Sequence, residues 1–127
     1  MRELLTDDAP EPIGPYSQAT ISGDRMYVSG QGPVDPDSGD VLGSDAGAQT
    51  HATLENVERI LSEAGVGLDD VVKTTVYLTD MNDYEAVNEA YAEHFTSPYP
   101  ARTAVEVSKL PIEIAVEIDV VAEYDDD

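Results

Sequence analysis

Arg102 is the side chain in this sequence best suited to bind an anion. It follows a proline-stiffened segment, 97–100, and begins a stretch whose successive residues should face opposite sides of a sheet. The two faces would carry Thr103, Val105 and Val107 on one side, and Arg102, Ala104 and Glu106 on the other. The valine face is expected to be core, while the other face offers a guanidinium, which binds a carboxylate through two parallel hydrogen bonds. The structural alternative is an arginine paired with a glutamate across the sheet.

Glu117 lies in the most regular alternating segment of the chain, 112–122. One face comprises Ile112, Ile114, Val116, Ile118 and Val120, and the other Glu113, Ala115, Glu117 and Asp119. We expect this polar face to meet the polar face that carries Arg102. There Glu117 could take a proton from water, or it could simply pair with Arg102, and spacing alone leaves both open.

Two glycine-containing segments could approach a ligand closely. Residues 14–17 form a turn that leaves Tyr16 ready to face a cavity or a neighbouring chain. Ser29 and Gly30 end a strand, where glycine exposes backbone N–H groups, although most such glycines merely turn the chain. The spacing matches neither a P-loop nor a dinucleotide-binding fingerprint.

The composition is strongly acidic. The 127 residues include 27 Asp plus Glu against 6 Lys plus Arg, a formal net charge of −21. Nucleic acid and anionic membranes are therefore poor partners, because both reward basic patches. Cysteine is absent, which excludes disulfides, thiolate metal sites and cysteine nucleophiles. With neither a signal peptide nor a membrane-spanning run in the sequence, we expect a cytoplasmic protein, and its acidity resembles that of proteins from salt-loving microbes.

The order of elements predicts one α+β domain over residues 1–127, with an extended arm at 1–8 and an acidic tail at 123–127. Asp125–Asp127 are expected to be solvated and disordered. Strands are expected at 19–21, 26–29, 71–78, 102–107 and 112–122, and helices at 46–64 and from a cap near 82. Two helices on one side of a mixed sheet make a two-layer fold, whose other face would be partly polar or covered by another subunit. Seven tyrosines favour such an oligomer.

His51 and His94 fall in the two expected helices. No third ligand stands at metal-binding spacing from them. Both are therefore expected to be surface or core-edge residues, and no metal site is predicted.

Several short segments taken together resemble a known family. They are Gly14-Pro15-Tyr16, Val28-Ser29-Gly30-Gln31, Val87-Asn88, Pro100-Ala101-Arg102-Thr103 and Leu110 through Glu117. Their joint order and spacing, over about residues 9–122, resemble the Rid family of reactive-intermediate imine deaminases, also called YjgF-like or L-PSP proteins. The resemblance implies a chorismate-mutase-like fold assembled as a homotrimer with clefts between subunits. It also implies hydrolysis of 2-imino acids, or their enamine tautomers, to 2-oxo acids and ammonia, without metal or cofactor.

The resemblance also implies roles for individual residues. Arg102 aligns with the arginine that binds the substrate carboxylate, and Glu117 with the acid that holds and activates water. The cleft-lining positions are Tyr16, Ser29 and Asn88, and the backbone donor near the ligand is Gly30. Ala104 stands where the relatives closest to this pattern commonly have cysteine. Its N–H would remain available to a ligand, but regulation through a thiol is put in doubt.

Three other functions are open. The chain could bind 2-oxo acids as a sensor without turnover, in which case Arg102 would matter and Glu117 would not. Endoribonuclease activity is attached to some L-PSP proteins, but a charge of −21 argues against it, because RNA affinity rests on cationic contacts. Chorismate mutase shares the fold, but its dianionic substrate would call for several convergent cations.

Overall fold

The computed structural model describes residues 1–125 of the chain. Its strands are β1 (Arg2–Leu4), β2 (Ala19–Ser22), β3 (Arg25–Gln31), β4 (Val71–Leu78), β5 (Ala101–Glu106) and β6 (Val116–Glu123). Its helices are α1 (Ala46–Glu63) and α2 (Tyr84–Ala92), with short 3₁₀ turns at Leu68–Asp70 and Met81–Asp83.

The six strands form one mixed sheet in the order β1-β2-β3-β6-β4-β5. β4 and β5 run parallel, and the other neighbours are antiparallel. Helix α1 packs on β3 and β6, and α2 packs against α1, so both helices cover the same face. Met26, Leu54, Ile60 and Ile118 are fully buried between the two layers. The predicted two-layer α+β fold, with two helices on one face of a mixed sheet, is confirmed.

The helix ends follow from local chemistry. α1 begins where the Asp45 carboxylate accepts a hydrogen bond from the backbone N–H of Ala48 at 2.8 Å. It is followed by Gly65, whose φ of +77° favours glycine. The cap predicted for α2 at Asn82 is wrong. The Asp80 carboxylate instead accepts from the Asn82 N–H at 2.9 Å, which makes a 3₁₀ turn ahead of a helix that begins at Tyr84.

The valine-bearing face of β5 is not core, contrary to the expectation from its alternation. Val105 remains 37% exposed, whereas Ala104 packs against the core. β5 pairs with β4 so that Ala104 lies beside Val76, and Val105 beside Tyr77. Val76 is buried beneath the helices. Arg102 and Ala104 therefore lie on the helix side of the sheet, and Val105 lies on the open side.

β6 begins at Val116, four residues later than predicted. The N–H of Ile114 donates to the carbonyl of Ile112 at 2.9 Å, which turns the chain. The N–H of Ala115 donates to the side-chain oxygen of Gln49 at 2.7 Å. Contacts within this segment and with α1 therefore hold these residues. Ile112, which was predicted to lie on the apolar face of the strand, is 38% exposed.

The two ends of the chain join the sheet more closely than predicted. Part of the arm predicted at 1–8 forms the edge strand β1, and the buried side chain of Gln18 accepts a hydrogen bond from the Thr6 N–H at 2.8 Å. β6 runs to Glu123, so the tail predicted at 123–127 begins within a strand. The prediction of disorder for Asp125–Asp127 falls largely on 126 and 127, which lie outside the described residues.

Candidate active site

A cleft of about 1110 Å³ opens on the sheet face opposite the helices. β3 and β6 form its floor, and the segments 10–18, 34–39 and 111–114 surround it. The site residues predicted from sequence that line it are Tyr16, Ser29, Gly30 and Glu117. The cleft is open to solvent, and its volume is larger than a small metabolite would fill.

An irregularity in the sheet places Gly30 against Glu117. The β3–β6 register shifts between Val28 and Gln31, which leaves Ser29 and Gly30 outside the regular ladder. A Cβ atom added at Gly30 would run into the Glu117 carboxylate, 2.8 Å from its Cδ and 3.1 Å from its Cγ. Glycine at position 30 therefore provides the space that the Glu117 side chain occupies.

The surroundings of Glu117 suit a group that exchanges protons. Burial raises the pKa of its carboxyl group above the ordinary value, and the negative charge of Asp119 raises it further. Asp119 is itself held by Tyr77, whose hydroxyl donates to its Oδ2 at 2.9 Å. That hydrogen bond is also the main reason that the pKa of Tyr77 is raised. A carboxylate with a raised pKa is a better proton acceptor near neutral pH.

Tyr16 and Ser29 shape the wall of the cleft. The Ser29 hydroxyl donates to the carbonyl of Ser17 at 2.6 Å, which holds the turn at 14–17 against β3. Tyr16 is 48% exposed, and its hydroxyl accepts from the N–H of Ile13 at 3.3 Å. The ring of Tyr16 is thus exposed at the cleft.

Arg102 lies outside this cleft, in an aromatic setting on the helix side of β5. Its Nη2 donates to the hydroxyl of Tyr84 at 3.0 Å, and its Cζ lies 5.6 Å from the centroid of that ring. Its Cζ also lies 4.9 Å from the centroid of Tyr91. Within residues 1–125, no carboxylate lies within ion-pair distance of this guanidinium. The alternative of an arginine neutralised by a glutamate across the sheet is therefore wrong.

Asn88 and Ala104 belong to the same region as Arg102. Asn88 lies between Tyr84 and Tyr91 along α2, at helical spacings of four and three residues that place all three on one side. Its Oδ1 is buried and has no hydrogen-bond partner within the described chain. Ala104 follows Arg102 by two positions in β5 and faces the same side. Within the described chain, the buried amide oxygen of Asn88 has no partner and the Arg102 guanidinium has no carboxylate partner, an arrangement that a ligand could complete.

The predicted site residues thus form two groups on opposite faces of one sheet. In the register of the sheet, Arg102 of β5 lies beside Thr74 of β4, whose side chain is buried beneath the helices. Glu117 of β6 lies beside Tyr77 of β4, on the open face. The expectation that the polar face of β6 would meet the face carrying Arg102 is therefore wrong within one chain. The cause is the register of β4, in which residues 74 and 77 point to opposite sides.

The two histidines contact each other, which the sequence analysis did not anticipate. Nδ1 of His51 lies 2.8 Å from Nε2 of His94, and Nε2 of His51 lies 3.5 Å from a carboxylate oxygen of Glu93. Burial lowers the pKa of His94, and the neighbouring His51 lowers it further. Over the described range 1–125, no cluster of three or more His, Asp and Glu side chains is arranged to bind a metal.

Sequence reasoning missed the residues that surround the two candidate catalytic groups. They are Tyr84 and Tyr91 beside Arg102, and Tyr77 and Asp119 near Glu117. A usable signal was present for Tyr91, since a buried tyrosine normally finds a partner for its hydroxyl. As for the membrane, no helix of the described chain is both long enough and apolar enough to span one.

Comparisons with known proteins agree with this architecture. A family model described as Endoribonuclease L-PSP matches residues 6–124. A RutC family protein from Pyrococcus horikoshii is 50% identical over 123 residues, 96% of this chain and 98% of that protein. A 2-iminobutanoate/2-iminopropanoate deaminase from Salmonella typhimurium is 43% identical over 124 residues, 95% of this chain and 96% of that protein. The crystal structure of Escherichia coli TdcF with bound serine superposes with a TM-score of 0.91 at 37% identity, covering 98% of this chain and 100% of that one. The chain belongs to the Rid family, whose matching model carries the L-PSP name.

Proposed function

We propose that this protein hydrolyses reactive 2-imino acids, or their enamine tautomers, to 2-oxo acids and ammonia, with 2-iminobutanoate and 2-iminopropanoate as the expected substrates. The observation that carries the proposal is the presence of two unusual groups: an arginine with no acidic partner among residues 1–125, in a chain of net charge −21, and a glutamate whose pKa is raised. Imine hydrolysis needs one group of each kind.

Arg102 binds the substrate carboxylate in this proposal. A guanidinium offers five N–H groups in a planar fork, and the hydroxyl of Tyr84 accepts from only one nitrogen. The remaining donors can take both oxygens of a carboxylate. Binding the carboxylate fixes the position of the adjacent C=N carbon, which converts water addition into a reaction within one complex.

Glu117 acts on the water. Its carboxylate takes a proton from water as the water oxygen bonds to the C=N carbon, and passes that proton to the nitrogen, which gives a neutral tetrahedral amino alcohol. Glu117 then takes the proton of the new hydroxyl group and passes it to the nitrogen as the C–N bond breaks, so that the C=O bond forms, ammonia leaves and a 2-oxo acid remains. Overall, one imine and one water are converted to one 2-oxo acid and one ammonia. Glu117 is regenerated, and the reaction needs no cofactor.

The two groups can act on one substrate if they come from different copies of the chain. Arg102 and Glu117 lie on opposite faces of the sheet, and the open face carries exposed side chains suited to an interface, Tyr27 and Val105 among them. A closed homotrimer would bring the β5 region of one copy to the open cleft of the next and repeat the contact three times. We therefore place the active sites between the subunits of a homotrimer.

The relatives support this assignment. The Salmonella protein is named for deaminase activity on 2-iminobutanoate and 2-iminopropanoate, and TdcF was crystallised with serine, a small amino acid with a free carboxylate. Such imines are released by dehydratases acting on serine or threonine, and we expect the protein to meet them in the cytoplasm.

The test couples a threonine dehydratase to semicarbazide, which traps free imine, in buffers from low to molar KCl. The wild-type protein should lower the semicarbazone signal. Arg102→Ala and Glu117→Ala should each lose most of that effect, roughly a hundredfold or more in rate. Arg25→Ala removes the same charge at an exposed hairpin and should retain the activity. If wild type leaves the signal unchanged but still binds 2-oxobutanoate through Arg102, the protein is a sensor and the deaminase proposal fails.

Endoribonuclease activity is the candidate suggested by the family model's description. RNA backbones are bound through Lys and Arg contacts to phosphate. Within the described chain, no lysine or arginine lines the cleft, which contains Glu117 and Asp119 instead. The cleft is thus better suited to a small anion, held by an arginine from outside it, than to RNA.

A further inference from the structure

We propose that Tyr84 is a positioning residue of the substrate-binding site, which holds the Arg102 guanidinium in place to receive the substrate carboxylate. This proposal rests on the proposed function and names a residue for which the sequence provided no role. It follows from the contacts of Arg102 rather than from any contact of Tyr84 with a ligand.

The guanidinium of Arg102 is held by two rings that lie about two helical turns apart on α2. Its Nη2 donates to the Tyr84 hydroxyl at 3.0 Å, and the Tyr91 ring lies 4.9 Å from its Cζ. Tyr91 is itself fixed, because its hydroxyl lies 2.8 Å from the Oγ1 of Thr74 in the core. The ring of Tyr91 thus supports one side of the guanidinium, and the hydroxyl of Tyr84 defines the direction in which one nitrogen points.

A phenol is well suited to this task because it orients an arginine without neutralising it. A carboxylate in the position of Tyr84 would hold the guanidinium more strongly, but it would compete with the substrate for the same charge. The chain has 27 acidic residues, yet within its described part none lies within ion-pair distance of Arg102. An arginine without such a restraint would lose more side-chain freedom when it binds a ligand, which weakens affinity.

The structure offers a matched control at the other edge of the sheet. Nη2 of Arg2 donates to the hydroxyl of Tyr124 at 2.6 Å, and the Arg2 Cζ lies 5.5 Å from that ring. β1, which carries Arg2, and β5, which carries Arg102, are the two edge strands. Tyr124→Phe therefore removes the same kind of hydrogen bond as Tyr84→Phe, at a position remote from Arg102.

The first measurement compares the affinity for 2-oxobutanoate by calorimetry and the steady-state constants for imine hydrolysis. Tyr84→Phe should raise both Kd and KM by about 3- to 10-fold and leave kcat nearly unchanged, because water activation belongs to Glu117. Tyr124→Phe should leave all three values unchanged. A Tyr84→Phe protein with wild-type Kd and KM overturns the proposal, as does one in which kcat alone falls.

The second measurement reports on Arg102 directly and does not depend on catalysis. The chain has four arginines, so their side-chain Nε–H signals can be assigned in an NMR spectrum by substituting each in turn. Without ligand, the order parameter of the Arg102 Nε–H bond should be high in wild type and lower in Tyr84→Phe. Equal order parameters in the two proteins overturn the proposal. A further outcome is that Tyr84→Phe lowers both the Arg102 order parameter and the affinity for 2-oxobutanoate although neither it nor the wild-type protein hydrolyses imine. In that case Tyr84 keeps its role and only the deaminase proposal fails.

Discussion

Arg102 and Glu117 lie on opposite faces of one sheet, separated by strand β4. Arg102 is paired with Thr74 of β4 and lies on the helix side, while Glu117 is paired with Tyr77 of β4 and lies on the open side. One copy of the chain therefore presents the Arg102 guanidinium on one surface and the Glu117 carboxyl group on another. The proposed reaction needs both at a single substrate, which requires a second copy.

Gly30→Ala tests whether the space beside Glu117 is needed for activity. The added methyl group would stand 2.8 Å from the Glu117 Cδ, so the carboxylate must move. The backbone at Gly30 has no positive φ, so a loss should come from this displacement rather than from strain. We expect imine hydrolysis to fall by roughly 10- to 100-fold with little change in thermal stability. Gly67→Ala, where an added Cβ meets no atom within 4 Å, should retain full activity, and equal activity of the two variants would contradict the account.

Asp119→Asn should shift the pH dependence of hydrolysis. Glu117 must be ionised to accept a proton, so activity should fall as the pH drops through its pKa. The charge of Asp119 helps to raise that pKa, and asparagine removes the charge while it can still accept the hydrogen bond from Tyr77. The acid limb of kcat/KM should therefore move to lower pH, yet stay above the ordinary value of 4.5, because burial still raises the pKa. Glu63→Gln removes an exposed charge at the end of α1 and should leave the limb in place; a shift of the same size there would point to net charge instead.

Tyr91→Phe should destabilise the fold through its hydrogen-bond partner. The hydroxyls of Tyr91 and Thr74 lie 2.8 Å apart, and both residues are buried. Removing one leaves the other buried without that partner, which costs about 1–2 kcal/mol in the free energy of unfolding. The double variant Thr74→Val with Tyr91→Phe should recover much of this loss, because neither hydroxyl then remains. Urea unfolding at a fixed protein concentration measures the effect, and strictly additive losses in the double variant would show that the pair is not coupled.

The sequence predicted elements whose own residues decide their structure. The apolar stripe of α1 and the β-branched run of β4 gave bounds that the structure reproduces, and the alternation of β6 correctly placed Glu117 opposite its apolar face. The same rule failed for β5. Alternation says which residues share a face, but not which face meets the helices, and a valine row facing open solvent or another copy has the same pattern as one facing the core.

The setting of Arg102 could not be predicted for a related reason. Tyr84 is 18 positions away in the chain, and it meets Arg102 because the Arg102 side chain lies on the helix-covered face of the sheet. That arrangement depends on the parallel register of β4 and β5, which neither strand specifies alone. Residue types thus indicated the chemistry, while the partner residues depended on tertiary pairing.

The most direct test of the account mixes two inactive variants. Arg102→Ala retains Glu117, and Glu117→Gln retains Arg102, so a site between one copy of each can carry both wild-type groups. The two proteins are unfolded together and refolded at equal concentration, then assayed for imine hydrolysis beside each variant refolded alone. If the sites lie between subunits of a trimer, random assembly restores roughly a quarter of wild-type activity. If the mixture is no more active than the separate variants, although mass spectrometry shows mixed oligomers, Arg102 and Glu117 do not act on one substrate from different chains and the account is wrong.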